Sequence, residues 1–157
     1  MRDGFREPTV EKKLRPPVDD PERLPLRGYT ILVVEDDSDA GDLVRRLLEL
    51  LGARAATAGD GIEGLRRLAE MQPAMVLCDL TMPRMDGLEF ARRVRRLPEY
   101  RRTLLVAVTG RQAHEDFLHT WDAGFDAHLV KPVTVEMLRA LARRLNQRVA
   151  DQRQPGA

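Results

Sequence analysis

The sequence predicts an α/β fold: a doubly wound, five-stranded parallel sheet of (βα)5 topology with helices on both faces. Two patterns along the 157 residues lead to this prediction. Five short apolar runs alternate with five segments in which apolar residues recur at helical spacing. An alternation of this kind is typical of parallel strands joined by right-handed helical crossovers. The length is also close to the roughly 150 residues of a single domain.

The first two strand–helix units follow the N-terminal prolines. Residues 29–34 (YTILVV) form a continuous apolar run, which is typical of a strand buried on both faces. Residues 40–51 carry leucines at helical spacing, and Gly52 follows as a helix stop. Residues 53–58 predict a weaker strand, and Asp60 is an N-cap residue for a helix that ends before the next proline. The leucines of the first predicted helix are Leu43, Leu47, Leu50 and Leu51.

The third and fourth units repeat the pattern. Residues 74–78 (AMVLC) predict another buried strand, and an amphipathic helix is expected over residues 88–97. Residues 103–108 (TLLVAV) predict the fourth strand. The helix after it is expected over residues 113–123 and stops at Gly124.

The fifth unit and the two chain ends complete the prediction. Residues 127–130 predict a short strand, and Thr134 is expected to cap the last helix. Residues 1–27 hold five of the ten prolines among many charges, which indicates a flexible N-terminal arm. Residues 151–157 are expected to form a polar C-terminal tail. The folded domain is therefore predicted to span residues 28–150.

The composition argues against several classes of protein. A net charge of +1 lacks the basic excess of a dedicated nucleic-acid binder. The single cysteine, Cys78, cannot form an internal disulfide or a multi-cysteine zinc site. No apolar run approaches the roughly 20 residues of a membrane span, and the charged, proline-rich N-terminus is unlike a signal peptide. We therefore expect a cytoplasmic protein that binds neither nucleic acid nor membrane.

Polar residues follow four of the five predicted strands. They are Glu35 and Asp36 after the first strand, Asp79 after the third, Thr109 after the fourth and Lys131 after the fifth. Because ligands bind at the carboxyl ends of parallel strands, these side chains are expected to converge there. Clustered carboxylates need a cation, and oxygen ligands of this kind suit Mg²⁺. A phosphoryl group on Asp79 would then supply acceptor oxygens for the hydroxyl and ammonium groups.

The motifs around these residues resemble those of one family. They are Glu35-Asp36 after ILVV, DLTMPRMDG from Asp79 to Gly87, Thr109-Gly110, and Lys131-Pro132. In this order and at this spacing, they make residues 29–148 resemble a response-regulator receiver domain, the phosphoacceptor module of two-component signalling. The resemblance implies a flavodoxin-like receiver fold for the predicted sheet.

The resemblance also implies a metal-dependent phosphoacceptor. Asp79 would accept a phosphoryl group from a histidine kinase or a histidine phosphotransfer protein. Glu35, Asp36 and Asp79 would hold Mg²⁺ together with the backbone carbonyl of Thr81. Asp79 would thus serve both as a metal ligand and as the residue that is phosphorylated.

Other residues would contact the phosphoryl group or respond to it. By the resemblance, Thr109 would donate a hydrogen bond to the group, Lys131 would pair with its oxygens, and a cis peptide bond would precede Pro132. The family often has an aromatic switch residue three positions before this lysine, where this sequence has His128. We therefore expect Thr109 and His128 to form the switch, with an imidazole in place of the aromatic ring.

The expected function is that of a stand-alone receiver that is not an enzyme. The length leaves no room for a DNA-binding output domain within this chain. The phosphorylated state would signal to a partner protein, or pair with a second copy, through the fifth strand and the last two helices. One alternative is a phosphohydrolase of the haloacid-dehalogenase type, although the first strand leads into EDDSD instead of DxDx[TV]. The other is a receiver-like docking scaffold that is not phosphorylated.

Overall fold

The computed structural model describes residues 20–110 and 117–154 and contains the predicted parallel sheet. In chain order the elements are β1 (Thr30–Val34), α1 (Ser38–Leu50), β2 (Arg54–Ala58), α2 (Gly61–Met71), β3 (Met75–Asp79), α3 (Gly87–Arg96), a 3₁₀ turn (Pro98–Tyr100), β4 (Leu104–Thr109), α4 (Phe117–Ala123), β5 (Ala127–Val130) and α5 (Val135–Arg153). The strand order is β2-β1-β3-β4-β5, with all neighbours parallel. The predicted fold class is confirmed, and each strand bound lies within one residue of its prediction.

Helices cover both faces of the sheet because successive strand residues point to opposite sides. Helices α1 and α5 pack on one face, where Leu48 and Leu138 are fully buried. Helices α2, α3 and α4 cover the other face, where Leu68 and Phe90 are buried. Every residue of β3 and β4 is buried, which explains their continuous apolar sequences.

Side-chain caps begin the helices where the sequence predicts them. Asp60 accepts the Glu63 N–H at 2.8 Å and begins α2, and Thr134 accepts the Met137 N–H at 3.3 Å and begins α5. Helix α4 is seen over Phe117–Ala123, and the predicted residues 113–116 lie outside the described part of the chain.

The leucines of α1 and of its C-terminal end differ in burial. Leu48 and Leu51 lie in the core, whereas Leu43 and Leu50 have exposed fractions of 59% and 71%. Helical spacing is therefore shared by leucines that face the core and by leucines that face solvent. On a leucine-rich helix, adjacent rows share the spacing of three or four residues, so spacing alone does not decide which row faces the sheet.

The folded part of the chain begins before residue 28. Residues 20–27, here called the strap, form turns against α5 and the end of α1. Leu26 is fully buried, and its N–H donates to the Leu51 carbonyl at 2.9 Å. The Asn146 side chain donates to the Pro25 carbonyl at 3.1 Å. The proline-rich composition that predicted an open arm thus belongs, in its last eight residues, to packed turns.

Helix α5 continues beyond the predicted end of the domain at residue 150. It runs for 19 residues to Arg153, so the predicted polar tail begins as helix. Its buried residues are spaced along one side, as in an amphipathic helix. Within the described ranges, neither α5 nor any other helix is long and apolar enough to cross a membrane.

We expect two N-terminal truncations to differ in stability. Removing residues 1–19 keeps every strap contact described above, so the thermal unfolding midpoint should stay close to that of the full chain. Removing residues 1–26 deletes Leu26, and loss of a buried leucine side chain costs about 2–5 kcal/mol. Leu26→Ala in the full chain should lower stability by a similar amount. Circular dichroism melting curves measure all three, and equal midpoints would show that the strap contributes nothing.

Candidate functional site

The parallel register brings the carboxyl ends of β1, β3, β4 and β5 to one edge of the sheet. Val34 is paired with Cys78, Asp79 with Val108, and Thr109 with Val130. Glu35 and Lys131, which follow β1 and β5, therefore lie at the same edge as Asp79 and Thr109. The structure brings these predicted site residues together, although 96 positions separate Glu35 from Lys131.

Three carboxylates meet at this edge. One oxygen each from Glu35, Asp36 and Asp79 lies within 4.8 Å of the others. Glu35 and Asp79 are buried, whereas Asp36 is exposed. The Thr81 N–H donates to Asp79 Oδ1 at 3.0 Å, which orients the carboxylate. This all-oxygen donor set, open to water on one side, fits Mg²⁺, which keeps several waters when it binds protein.

Lys131 reaches back to two of the carboxylates. Its Nζ donates to Glu35 Oε2 at 3.1 Å and to Asp79 Oδ2 at 3.0 Å. Burial alone lowers the pKa of Lys131, but the hydrogen bonds to Asp79 and Glu35 outweigh burial and the net pKa is raised. The ammonium group therefore stays charged and neutralises part of the acidic cluster. Its side chain is 37% exposed, so it lies at the rim of the site and not in a closed pocket.

Glu35 holds its proton more tightly than an ordinary glutamate. Burial, followed by the hydrogen bond and the charge of Asp79, raises the pKa of Glu35 to about 7. The Lys131 ammonium and the Asp37 N–H, 3.2 Å from Glu35 Oε1, oppose this rise. Because a metal ion binds the ionised carboxylate, a cation at this cluster would compete with the proton on Glu35.

Thr109 and His128 are in direct contact. The Thr109 hydroxyl, which is buried at the end of β4, lies 2.7 Å from His128 Nε2. The Lys131 N–H donates to the Thr109 carbonyl at 2.7 Å, which joins β4 to the end of β5. The Lys131–Pro132 peptide is cis, as the resemblance implies. The resemblance pairs Thr109 and His128 as a switch, but the hydrogen bond between them becomes visible only in the structure.

The loop after Asp79 is anchored by a contact that the sequence did not indicate. The Arg84 guanidinium donates to the Asp60 carboxylate, which also caps α2. Arg84 has a left-handed backbone, with a φ of 66°. At the other end of the loop, a Cβ on Gly87 would overlap the Asp79 carbonyl, so glycine is required there. No local pattern could reveal an ion pair between residues 24 positions apart.

A cleft of about 460 Å³ opens beside the carboxylates, between α1 and the connection from β5 to α5. Its polar lining is formed by Glu35, Asp79 and Lys131. Aliphatic side chains form most of the remaining wall, including Ala40, Leu43, Val44, Pro132 and Val133. The exposure of Leu43 is thus explained, since it faces this cleft and not the core.

Comparisons with known proteins place this geometry in a family. The family model of the response regulator receiver domain matches residues 31–143. An uncharacterized 14.6 kDa protein of Leptolyngbya boryana is 39% identical over 115 residues, which are 73% of this chain and 88% of that protein. The sensor histidine kinase CheAY of Helicobacter pylori is 32% identical over 126 residues, which are 79% of this chain but 16% of the kinase. The chain therefore spans only a small part of that relative.

A solved structure shows the same fold. It is the receiver domain of the sensor histidine kinase PA1611 from Pseudomonas aeruginosa PAO1, with a magnesium ion coordinated in the active site cleft. Its TM-score is 0.69 at 28% identity, and the match covers 75% of this chain and 97% of that domain. The family match, the strand order and the acidic edge of the sheet all lead to the same assignment. This chain belongs to the response regulator receiver domain family.

Proposed function

We propose that this chain accepts a phosphoryl group on Asp79 from a phosphohistidine of a histidine kinase or phosphotransfer protein, and signals through protein contacts. The position of Asp79 carries this proposal. Its buried carboxylate ends β3, 3.0 Å from the Lys131 ammonium and within 4.8 Å of two further carboxylates. Such crowding of like charges costs stability unless a ligand relieves it, which favours a functional role.

The proposed transfer is an in-line displacement at phosphorus. An Asp79 carboxylate oxygen attacks phosphorus, and the P–O bond forms as the P–N bond to the donor imidazole breaks. The imidazole leaves neutral after it takes up a proton from solvent. Lys131 neutralises charge on the phosphoryl oxygens, and Thr109 donates its hydroxyl hydrogen to one of them. Both groups sit at strand ends, so little reorganisation is needed.

We propose Glu35, Asp36 and Asp79 as ligands of Mg²⁺, with the backbone carbonyl of Thr81. When bound, the ion supplies positive charge to the carboxylates and to the phosphoryl oxygens. The exposed position of Asp36 leaves room for water and a phosphoryl oxygen on the ion. The magnesium ion in the active site cleft of the PA1611 receiver domain supports this assignment.

The proposed output surface consists of α4, β5 and α5. Leu118, Trp121 and Val130 lie there with exposed fractions of 75%, 47% and 42%. Exposed apolar side chains such as these favour contact with protein over contact with water. A partner protein, or a second copy of the chain, would read the phosphorylated state through this surface.

The matched family gives no support to a haloacid-dehalogenase-type phosphohydrolase. A docking scaffold would share the receiver fold, so phosphorylation separates it from our proposal. With acetyl phosphate and Mg²⁺, we expect intact-mass spectrometry to show one added phosphoryl group, and none when the metal is chelated. A chain that takes up no phosphoryl group with Mg²⁺ present would contradict the proposal and favour the scaffold.

Loss of one proposed metal ligand should weaken metal binding and phosphorylation together. We expect Asp36→Ala to lower both Mg²⁺ affinity and the labelling rate by at least about tenfold, because disturbing a metal site typically costs that much or more. Calorimetric titration and timed mass spectrometry measure the two effects. Asp39→Ala is the matched control, since Asp39 is also exposed but lies outside the cluster. Normal labelling of Asp36→Ala without added metal would refute the site.

Magnesium affinity should rise with pH between 6 and 8. The pKa of about 7 leaves Glu35 mostly protonated at pH 6 and mostly ionised at pH 8. Because the metal binds the ionised form, the apparent affinity should rise about tenfold over this interval. Glu35→Gln should bind more weakly at every pH and lose this rise. An equally steep rise in Glu35→Gln would assign the pH dependence to another group.

A further inference from the structure

The cleft beside Asp79 has an aliphatic floor that the proposed phosphoryl transfer does not use. Val33 and Leu77 line this floor, and Glu35 and Asp79 line the same cleft. Alternate residues of a strand point to the same face of a sheet, so Leu77 and Asp79 lie side by side on one face of β3. Val33 and Glu35 are related in the same way at the end of β1. The aliphatic floor is therefore continuous with the two buried carboxylates.

The walls of the cleft are aliphatic as well. Helix α1 contributes Ala40, Leu43 and Val44, and the connection from β5 to α5 contributes Pro132 and Val133. Leu43 is 59% exposed, so a ligand that covers it removes apolar surface from water. A cleft of about 460 Å³ that is apolar apart from a few convergent polar groups has the size and character of a small-molecule site.

The two kinds of lining favour a ligand with two unlike ends. The Lys131 ammonium, 3.0 Å from Asp79 Oδ2, offers positive charge to an anionic head beside the proposed nucleophile. The aliphatic walls favour an uncharged hydrocarbon tail, because a polar tail would lose its hydration there without gaining hydrogen bonds. An aliphatic acyl phosphate has this form, with a phosphoryl head and a hydrocarbon tail.

We propose that the cleft binds the hydrocarbon tail of an aliphatic acyl phosphate that donates its phosphoryl group to Asp79, so that donors with longer tails than acetyl phosphate are preferred. This inference rests on the proposed function and adds a small-molecule donor class to the protein donors. An Asp79 carboxylate oxygen forms a bond to phosphorus as the bond from phosphorus to the acyl oxygen breaks. The acyl group leaves with the electron pair as a carboxylate ion, so the step needs no proton and no further reactant.

The length of the tail is the variable that tests this inference. We compare acetyl, propionyl and butyryl phosphate, each below its saturating concentration and with saturating Mg²⁺, by timed intact-mass spectrometry. The three leaving carboxylates have nearly the same basicity, so a difference in labelling rate reports the binding of the tail. Burial of one methylene group corresponds to a factor of about four. We expect the labelling rate to rise about fourfold with each added methylene group.

Substitutions in the walls locate the tail. Val133→Phe places a larger side chain in the cleft and should remove the preference for butyryl over acetyl phosphate. Leu43→Ala deletes part of the opposite wall and should reduce that preference about twofold or more. Because Leu43 is exposed, this variant should fold even where Val133→Phe does not. Leu50→Ala is the matched control, since Leu50 is an exposed leucine of α1 that lies outside the cleft.

A pair of phosphonates separates binding from transfer. Butylphosphonate and methylphosphonate carry a phosphoryl-like head on a P–C bond that Asp79 cannot displace. With Mg²⁺ present, calorimetric titration should show tighter binding of butylphosphonate to the wild type and to Leu50→Ala. The advantage of butylphosphonate should be lost in Val133→Phe.

The outcomes distinguish this inference from the proposed function. Equal labelling rates with the three donors would overturn the inference, and labelling by acetyl phosphate would leave the proposed function standing. A preference for butyryl phosphate that survives both Val133→Phe and Leu43→Ala would also overturn the inference, because the tail would bind elsewhere. Equal binding of the two phosphonates would do the same. Absence of labelling by every donor would overturn the proposed function and, with it, the donor role of the cleft.

Discussion

Asp79→Asn is expected to abolish phosphorylation by acetyl phosphate. The amide is isosteric with the carboxylate, so it preserves the shape at the end of β3 but removes the nucleophilic oxygen. No other carboxylate among the described residues combines burial with contacts to the acidic cluster and to Lys131 in the way that Asp79 does, apart from Glu35. Glu35 holds a proton near neutral pH, because burial raises its pKa to about 7, and is the poorer nucleophile.

Intact-mass spectrometry before and after the donor measures this loss directly. Asp86→Asn is the matched control, because Asp86 is an exposed carboxylate in the same loop that caps α3 by accepting the Glu89 N–H. Asparagine caps a helix equally well, so this variant should label normally. Full labelling of Asp79→Asn would show that the phosphoryl group resides on another residue and would remove the basis of the proposed function.

Lys131→Arg is expected to phosphorylate poorly although its charge is kept. The Lys131 ammonium is a compact charge that bridges Glu35 and Asp79 at 3.1 and 3.0 Å. A guanidinium is planar and larger, and it pairs side-on with one carboxylate more readily than it bridges two. Because the lysine side chain is 37% exposed, an arginine at this position is not excluded by lack of space, and the expected loss comes from this difference in geometry.

The comparison with Lys131→Met gives a scale for this effect. Removing one charge-stabilising donor typically costs about 100-fold or more in rate, and we expect this from Lys131→Met. The labelling rate of Lys131→Arg should lie between those of Lys131→Met and the wild type. On a logarithmic scale it should lie closer to the rate of Lys131→Met. Timed labelling at saturating Mg²⁺ measures both variants. A wild-type rate in Lys131→Arg would show that any cation at this position suffices.

The order of strands and helices was predictable because it depends on local patterns. The continuous apolar run before Glu35 marks β1, and the side chains of Asp60 and Thr134 begin α2 and α5 by accepting N–H groups three residues ahead. The place of the site was also predictable. In a parallel sheet every strand ends at the same edge, so positions in the sequence translate into positions at that edge.

Burial was less predictable than position. The leucines at positions 43 and 50 share the helical spacing of a core stripe, yet both are exposed. Leu26 lies among prolines and charges, yet this residue of the strap is fully buried. The spacing of residues shows which of them share one face of a helix. It does not show which other segment of the chain packs against that face.

The α/β class, the five strand–helix units and the strand ends at which Asp79, Thr109 and Lys131 lie all follow from the amino-acid sequence alone. The raised pKa of Glu35, the hydrogen bond between Thr109 and His128, and the strap over α5 depend on how the folded chain packs. The two groups of features differ in how far apart in the sequence the interacting residues lie. Helices, strands and caps form from residues that are near one another in the chain. A side-chain hydrogen bond depends on distances of about 3 Å between atoms of distant segments. A shifted pKa depends on such contacts and on burial from water, which the whole fold determines.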